Sequence, residues 1–503
     1  MTWRRLVANG LGVAVGMSLV VLVPPGAAEA SPVTAPPAAV AATATTVTST
    51  ASSAGYDSWV TFTAHVRSPA GTPAGLVTFT DSSNGSVLGA VALRAGTARF
   101  TTASLAPGSR ALVARYKGSG GFARSSSRAA PVAVGAAGPD AVTYQVDPRH
   151  DGDQARRTLA ARPLVRKWTR KLGTTSSIQP EAGDVSYPVI AGGRVFVTVE
   201  NWQSSGSMLE VFDAASGGVD WSAGLGGTYG FSGLAYDGRR IFSLNHDGFL
   251  TAYVASTGRE LWATQLPGQG SFTSPPTAYD GVVYATGAGS GGTAYAVSEA
   301  DGKVRWAKPV LNGDASSPAV DDSGAYFSFA CQQDYGFSLA GQLKWNYQGS
   351  CEGGGGSTVT VYGRHVYARG ASGDAPIILS KLSGALRGTF ASTTTPAFDA
   401  TSMYTLQNGR LVASAPSGSP NHWIFGNGTL VMAPVVSAGI VYAGSKNGTV
   451  YGVSAKTGKK MWSGTAGSVI LPPNEWGVGV RAGMAVGDGR LIVAAGTRLT
   501  AFG

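Results

Sequence analysis

Cysteine, histidine and charged residues are all scarce in this chain of 503 residues. It contains two cysteines and five histidines, and 13% of its residues are charged. The histidines are scattered singly, so no pair of them has the spacing of a transition-metal site. No G-x-S-x-G motif of a serine hydrolase is present either. The sequence therefore predicts no metal centre and no catalytic residues.

Long apolar runs are also missing after residue 30, where none approaches the roughly 18 residues that a membrane helix needs. The first 30 residues differ, because a basic MTWRR precedes an apolar run from Leu6 to Val23 and a small-residue site at Ala28-Glu29-Ala30. This is the layout of a secretory signal, so we predict a signal peptide over residues 1–30 and a monomer that is secreted or associated with the cell surface. The Arg4-Arg5 pair leaves a twin-arginine export route open.

Positive charge is unevenly distributed along the chain. Residues 31–139 have eight Lys or Arg against two acids, residues 140–171 eight against four, and the remaining 332 residues twenty against twenty-one. A basic N-terminal module favours anionic surfaces such as cell-wall or extracellular polymers, although an ordinary solvated surface is the simpler interpretation. We expect no specific nucleic-acid binding and no membrane span.

Glycine and β-forming residues are abundant, and sustained helical periodicity is absent, which predicts an all-β protein. Residues 31–45 are a Pro/Ala/Thr-rich linker, and residues 46–135 show strand alternation. The predicted core positions of this region are Val60, Phe62, Ala64, Val66, Val77, Phe79, Phe100, Val113 and Tyr116. The order VTFTAHV, GTPAGLVTFTD, GTARFTT and RALVARYKG resembles the bacterial immunoglobulin-like repeats of surface and secreted proteins. That resemblance implies a β-sandwich serving as a spacer or adhesive module.

A repeat fills residues 163–503, after a linker over 136–162. One unit reads PVVSAGIVYAGSKNGTVYGVSAKTGKKMW (434–462): three strands, then Gly-x-x-x-Trp opening a fourth. The three-strand unit occurs eight times, and so does the segment that corresponds to the fourth strand. The first of these fourth-strand segments is VRKW (165–168). The last unit ends without a fourth strand, so VRKW is expected to complete it and leave no open edge. We predict an eight-bladed β-propeller closed by this N-terminal strand.

These repeats resemble the quinoprotein-like, or PQQ-like, β-propeller family, whose docking motif is roughly A-x-D-x-x-T-G-x-x-x-W. Ala252, Thr257, Gly258 and Trp262 match it, while Val254 replaces the Asp. The resemblance implies a structural role for the repeat tryptophans, namely Trp168, Trp221, Trp262, Trp306, Trp345, Trp423 and Trp462.

Some relatives are Ca²⁺-dependent quinone dehydrogenases that use adjacent cysteines, but Cys331 and Cys351 are twenty positions apart. We therefore expect no cofactor, and pyrroloquinoline quinone with Ca²⁺ belongs only to the alternative function of an oxidoreductase. Asp147, Asp151 and Asp153 are a second possible Ca²⁺ site, although their spacing departs from an EF-hand and a solvated segment is the simpler interpretation.

Cys331 ends the second strand of its blade, and Cys351 begins the connection to the next blade. In a four-stranded meander both positions lie on the same face. A disulfide is the default in an exported protein, with a redox pair or soft-metal site as the alternative. This loop face should bind the ligand through aromatic, amide and carboxylate groups. Its predicted residues are Trp202, Tyr229, Phe231, His246, Asp247, Phe272, Asp314, Gln332, Gln333, Asp334, Tyr335, Glu352 and Trp476.

Together these features predict a non-catalytic scaffold that binds a cell-wall or extracellular polysaccharide or a surface protein. A quinone-dependent oxidoreductase is the alternative. Polysaccharide cleavage is a third hypothesis, which lacks an identifiable acid/base pair.

Overall fold

The computed structural model describes most of the chain after residue 39. The described residues are 40–54, 60–83, 85–102, 105, 108–134, 140–154, 159, 163–172, 185–200, 206–313, 316–349, 356–370, 375–473, 475 and 481–503. These residues form strands and no helix. Accordingly, none of them belongs to a helix that could span a membrane. The predicted signal peptide lies outside them, as does most of the first linker.

The N-terminal strands form a sandwich of two sheets. One has the order β1-β3-β6, and the other β2-β9-β7-β4-β5 with β8 beside β7. The strands are β1 (Ala44–Ser49), β2 (Ser53–Ala54), β3 (Val60–Arg67), β4 (Leu76–Asp81), β5 (Val87–Ala92), β6 (Thr97–Thr102), β7 (Gly108–Tyr116), β8 (Ser125–Ser126) and β9 (Ala130–Val134).

The sandwich core follows the alternation of the sequence, with two corrections. Val60, Phe62, Val77 and Phe79 are buried, as is Tyr116, so β3 and β4 each present one apolar face inward. In β7, however, the inward positions are Leu112 and Ala114, and Val113 points the other way because it lies between them. Phe100 is only partly buried and stacks on Phe79, with ring centroids 5.1 Å apart.

Beyond the sandwich, β10 (Asp153–Gln154) and β11 (Arg166–Lys171) precede a series of meanders. Each of sheets 1 to 4 has four consecutive antiparallel strands. Sheet 1 is β12 (Val189–Ala191), β13 (Arg194–Glu200), β14 (Ser207–Asp213) and β15 (Val219–Gly226); sheet 2 is β16 (Ser232–Asp237), β17 (Arg240–Asn245), β18 (Phe249–Val254) and β19 (Glu260–Gln265); sheet 3 is β20 (Thr277–Tyr279), β21 (Val282–Gly289), β22 (Gly291–Ser298) and β23 (Val304–Val310); sheet 4 is β24 (Ala319–Asp321), β25 (Gly324–Phe329), β26 (Gln333–Phe337) and β27 (Leu343–Gln348).

Sheets 5 to 7 repeat this pattern, and the last sheet differs. In sheet 8, the final three strands of the chain are joined by β11, which pairs antiparallel with β42. Sheet 5 is β28 (Thr360–Tyr362), β29 (His365–Ala368), β30 (Ile377–Ser380) and β31 (Leu386–Thr389); sheet 6 is β32 (Ala397–Phe398), β33 (Met403–Gln407), β34 (Arg410–Ser414) and β35 (Asn421–Phe425); sheet 7 is β36 (Leu430–Ser437), β37 (Ile440–Ser445), β38 (Thr449–Ser454) and β39 (Lys460–Thr465), with β10 beside β36; sheet 8 is β40 (Met484–Gly487), β41 (Arg490–Ala495), β42 (Arg498–Phe502) and β11.

A tryptophan on the fourth strand ties most sheets to the next one. Trp168 of β11 donates its indole N–H to the carbonyl of Ala214 over 3.1 Å, and its ring packs on Gly217. Gly217 has φ +67, and a Cβ there would lie 2.6 Å from the Trp168 ring, so the close approach requires glycine. The same indole bond joins Trp221 to Ala255, Trp262 to Glu299, Trp306 to Leu339, Trp345 to Lys381, Trp423 to Ala455 and Trp462 to Leu164.

Residues 140–154, here called the hub segment, contact the first strand of each sheet or the residue just before it. The innermost strand of a meander has an unpaired edge whose backbone groups need partners. Along the hub segment these partners follow the order of the sheets: Ala141 with Ile190, Val142 with Tyr236, Thr143 with Pro276, Pro148 with Val320, Arg149 with Val361, Asp151 with Phe398, Gly152 with Val436 and Gln154 with Val486. A segment outside the repeats therefore supplies a hydrogen-bond partner at the inner edge of each of the eight sheets that the described residues form.

Candidate functional site

The loop face is the end of the sheets where second strands turn into third strands and one sheet connects to the next. Among the predicted binding residues that the structure describes, the most exposed is Tyr229, which lies in the connection between sheets 1 and 2 and is 47% exposed. The Tyr229 ring lies edge-on to the ring of His246, with centroids 4.6 Å apart. Asp247 follows, and its Oδ2 accepts hydrogen bonds from the backbone N–H and the hydroxyl of Thr228, each over 3.0 Å. An aromatic face and a carboxylate are thus held side by side.

His246 is buried behind this pair and fixes its position. One ring nitrogen lies 3.4 Å from Asp247 Oδ1, and the other lies 3.3 Å from the hydroxyl of Ser271 in the next connection. The backbone carbonyl of His246 also accepts the N–H of Phe272. His246 therefore links two neighbouring connections of the loop face.

The other predicted aromatic residues of this face that the structure describes are not on the surface. Phe272 is fully buried, in space left open by Gly248 and Gly287. Phe231 is buried too, and Tyr335 stacks on Phe337 while its hydroxyl accepts the N–H of Leu311 over 3.0 Å. The expectation that these rings share an exposed rim is corrected, because all three are buried, and in the case of Phe272 two glycines leave room for the ring.

The predicted polar residues of sheet 4 are buried as well. Gln332 donates to the carbonyl of Ala375 over 3.0 Å, and Gln333 donates to that of Cys331. Asp334 has no exposed surface, and within the part of the chain that the structure describes neither of its carboxyl oxygens has a hydrogen-bond partner. Burial raises the pKa of Asp334 to about 7, because the charged form is poorly solvated there. Trp202, Asp314, Glu352 and Trp476 lie outside the described residues.

Cys331 is buried in the turn between β25 and β26. It has φ +59 and Gln332 has φ +49, so the turn between β25 and β26 uses two consecutive left-handed residues. Cys351 lies outside the described residues.

A buried ionic cluster lies among sheets 5, 6 and 8, and sequence reasoning missed it. Arg369 donates to Glu475 over 2.5 Å, and Thr358 N–H donates to the other carboxylate oxygen over 2.9 Å. Arg481 donates to Thr358 Oγ1 over 2.9 Å, and its guanidinium lies 5.2 Å from the centre of the Tyr144 ring. Burial alone would raise the pKa of Glu475, but the two arginines hold it below its usual range.

A signal for this cluster was present in the repeat alignment. Arg369 follows HVYA, and the corresponding position of the other seven units is uncharged. It is occupied by Thr198, Leu244, Thr286, Ser328, Leu406, Gly444 and Ala494. A guanidinium in a column of uncharged, mostly buried side chains predicts a buried anionic partner. The partner, Glu475, comes from a distant connection that carries no repeat pattern.

The Asp-rich part of the hub segment does not form an open cation site. Asp147 and Asp151 both pair with Arg149, at 2.7 and 3.0 Å. Asp153 is partly buried, and this burial together with the charge of Asp399 raises its pKa to about 6. Burial and nearby Arg481 lower the pKa of His150 to about 3, so this imidazole is neutral at physiological pH. Among the residues the structure describes, no group of His, Cys, Asp or Glu has an arrangement that could hold a metal ion.

The repeats match a known family over more than half of the chain. A family profile described as outer membrane protein assembly factor BamB matches residues 205–389 and 377–503. The chain belongs to this BamB family. A second profile, the bacterial Ig-like domain (group 3), matches residues 34–135, in agreement with the resemblance of the N-terminal strands.

Individual members of the BamB family are distant in sequence. The outer membrane protein assembly factor BamB of Yersinia pestis is 23% identical over 303 residues, which cover 57% of this chain and 71% of that protein. The crystal structure of BamB from Moraxella catarrhalis superposes with a TM-score of 0.52 at 16% identity, covering 67% of this chain and 99% of that one.

An enzyme has the same fold. Quinohemoprotein alcohol dehydrogenase from Comamonas testosteroni superposes with a TM-score of 0.56 at 14% identity, covering 72% of this chain and 80% of that one. At such identities the likeness shows a PQQ-type propeller fold and does not transfer an activity.

Proposed function

We propose that this BamB-family chain is an exported, non-catalytic binding protein whose propeller is a closed ring of eight blades. The propeller would present its loop face to a cell-surface or extracellular polymer or to a surface protein. Ring closure is supported by two indole hydrogen bonds at sheet 8. Trp462 of sheet 7 donates to the carbonyl of Leu164, just before β11 of sheet 8, and Trp168 of sheet 8 donates to the carbonyl of Ala214, just after β14 of sheet 1. The hub segment supports it too, since its contacts run from sheet 1 to sheet 8 in order.

The observation that favours binding over catalysis is the cluster of Glu475 with Arg369 and Arg481. A catalytic carboxylate needs an accessible atom and a pKa suited to proton transfer or metal binding. Both oxygens of Glu475 already accept hydrogen bonds, and its charge is balanced by buried guanidinium groups. The cluster therefore resembles a structural ionic core more than a reactive centre.

The quinone-dependent alternative would require a Ca²⁺ ligand set and an open place for the cofactor. Glu475 is not suited to be a Ca²⁺ ligand, because the guanidinium of Arg369 already lies 2.5 Å from its carboxylate and would repel a cation. We propose that the chain has no quinone cofactor, and we derive no catalytic step for it.

We also propose that Cys331 pairs with Cys351. These are the only two cysteines of the sequence, and a disulfide is the default in an exported protein. This bond would fasten the connection that leaves sheet 4 to the turn between β25 and β26. It would thereby hold part of the loop face in place outside the cytoplasm.

The cofactor question is tested by calorimetric titration of the exported protein with pyrroloquinoline quinone, with and without Ca²⁺, followed by dye reduction with simple alcohols and sugars. We expect neither heat of binding nor turnover. Ca²⁺-dependent binding with turnover would make the chain an oxidoreductase and overturn the proposal.

Binding is tested by co-sedimentation with purified peptidoglycan. We expect the protein to pellet, and the double variant Tyr229→Ala/Asp247→Ala to remain in solution. The matched control is Tyr279→Ala/Asp322→Ala, which removes the same side-chain types at the opposite end of the sheets. An equal loss of peptidoglycan binding in both double variants would contradict a role of the loop face. If the wild type does not pellet, the ligand would be a surface protein and not this polymer.

A further inference from the structure

A cleft of about 530 Å³ lies between sheets 4 and 5, at the end of the sheets opposite the loop face. It is formed by the turns between first and second strands and by the turn that follows β30. Its volume is within the range of ordinary ligand sites. The residues that line it are Ser323, Lys344, Arg364, His365, Ser380, Lys381, Leu382 and Arg387.

Two of the cationic side chains are fixed by contacts with sheet 4. Lys381 forms an ion pair with Asp321 at 2.6 Å, and Lys344 donates to the carbonyl of Ser323 over 3.0 Å. The turn beneath them is rigid, because the indole of Trp345 donates to the carbonyl of Lys381 and its ring packs on Gly384. The floor of the cleft is therefore preorganised, which reduces the entropy lost when a ligand binds.

The two arginines are exposed and form no ion pair with any described residue. The backbone carbonyl of Arg364 accepts the N–H of Lys381 over 2.9 Å, which places Arg364 beside the ion pair. Burial and the charge of Arg387 lower the pKa of His365, which favours the neutral imidazole. Guanidinium groups match carboxylates with two parallel hydrogen bonds.

The cleft has an excess of positive charge, although the propeller as a whole is close to neutral. Residues 172–503 contain twenty Lys or Arg and twenty-one acids, yet four of those cations line this single cleft. One acid, Asp321, pairs with one of the four, and the other three have no acidic partner among the described residues. Such a site attracts an anionic ligand.

Apolar side chains beside the charges indicate which kind of anion fits. Leu382 lines the cleft and is 80% exposed, and Leu343 and Leu386, next in sequence to Lys344 and Arg387, are more than half exposed. None of the described residues that line the cleft is a tryptophan or tyrosine, although sugar rings are usually bound against such aromatic faces. We propose that this cleft binds an acidic peptide segment of a partner protein, with its carboxylates on Arg364 and Arg387 and an apolar side chain against Leu382.

The proposal is tested by fluorescence polarisation of the full exported protein with a short labelled peptide of alternating Glu and Leu. We expect saturable binding that weakens with added salt. The variant Arg364→Gln/Arg387→Gln should bind about tenfold more weakly, as two charge-assisted contacts are lost. Leu382→Ser should weaken binding by a smaller factor. Peptides of alternating Gln and Leu, or Glu and Gly, should bind less well than the first.

The matched control is Arg259→Gln/Lys456→Gln, which removes two exposed cations from the equivalent turns of sheets 2 and 7. It should bind the peptide as the wild type does. Equal weakening in both variants would reveal only general charge attraction and would overturn the proposal, as would no binding at all. Tighter binding of alginate than of the peptide, lost in Arg364→Gln/Arg387→Gln, would identify an anionic glycan instead. None of these outcomes affects the loop-face test, which uses other residues.

Discussion

The sandwich and the propeller bury their apolar residues in different ways. In the sandwich, one continuous cluster from Val60 to Val134 lies between two sheets. In the propeller, the core is divided into clusters that each span neighbouring sheets, such as the one that joins Ala319 of sheet 4 to Val361 of sheet 5. A sandwich is therefore stabilised by one interior, whereas a propeller depends on each contact between adjacent sheets. The difference predicts that single substitutions affect one unit and spare the other.

The largest effect is expected at an indole contact between sheets. Trp345→Ala removes a buried ring and its hydrogen bond to Lys381, and should lower the free energy of unfolding of the propeller by about 4 kcal/mol. In differential scanning calorimetry, the sandwich transition should stay in place. Phe62→Ala should lower only the sandwich transition. If either variant shifted both transitions together, the two units would unfold as one and the comparison would fail.

The buried ionic cluster should give a slightly smaller effect. Arg369→Met leaves Glu475 without its nearest cation, and should lower the free energy of unfolding by about 3 kcal/mol in urea titrations. Arg369→Met/Glu475→Met should regain most of this loss, because both charges are then absent. A double variant that is no more stable than the single one would mean that the residues contribute through packing and not through charge.

The disulfide offers a contrast with the sandwich, which has no cysteine. Cys331→Ser/Cys351→Ser opens a loop of about 20 residues, and should lower stability by about 3 kcal/mol under oxidising conditions. With a reducing agent present, the variant and the wild type should melt together. An unchanged melting temperature without reductant would count against the pairing of the two cysteines.

The smallest expected effect depends on pH and lies in sheet 4. The pKa of Asp334 is about 7 in the folded chain and near 3.8 when unfolded, so the folded state binds more protons between these values. Wild-type stability therefore falls between pH 5 and pH 8 relative to Asp334→Asn, by about 2 to 3 kcal/mol. Urea unfolding at pH 5 and pH 8 measures this change. A constant difference between the two proteins at both pH values would show that Asp334 does not titrate in this range.

Sequence patterns predicted much of the architecture because repeated side chains determine it. The Gly-x-x-x-Trp spacing predicts the contact in which Trp221 packs on Gly258, and VRKW was expected beside the last unit, where β11 pairs with β42. These features rest on residue types that recur at a fixed period.

The interior of the loop face was harder to predict. Phe272 was taken as exposed because it lies in a connection, but the space beneath Gly248 and Gly287 accommodates its ring. Residues 147–153 were read as solvated because they are polar. Their backbone carbonyls instead satisfy strand edges, and backbone hydrogen bonds carry no side-chain pattern.

The hub segment also bears on how this protein can change in evolution. Repeat proteins commonly lengthen or shorten by duplicating or deleting a unit. Here an added unit would bring an inner edge that has no place in the order of contacts along residues 140–154. A deleted unit would leave a carbonyl such as that of Arg149 without the strand to which it is hydrogen-bonded. Individual units are free to diverge in sequence, but their number is constrained by fifteen residues that belong to none of them.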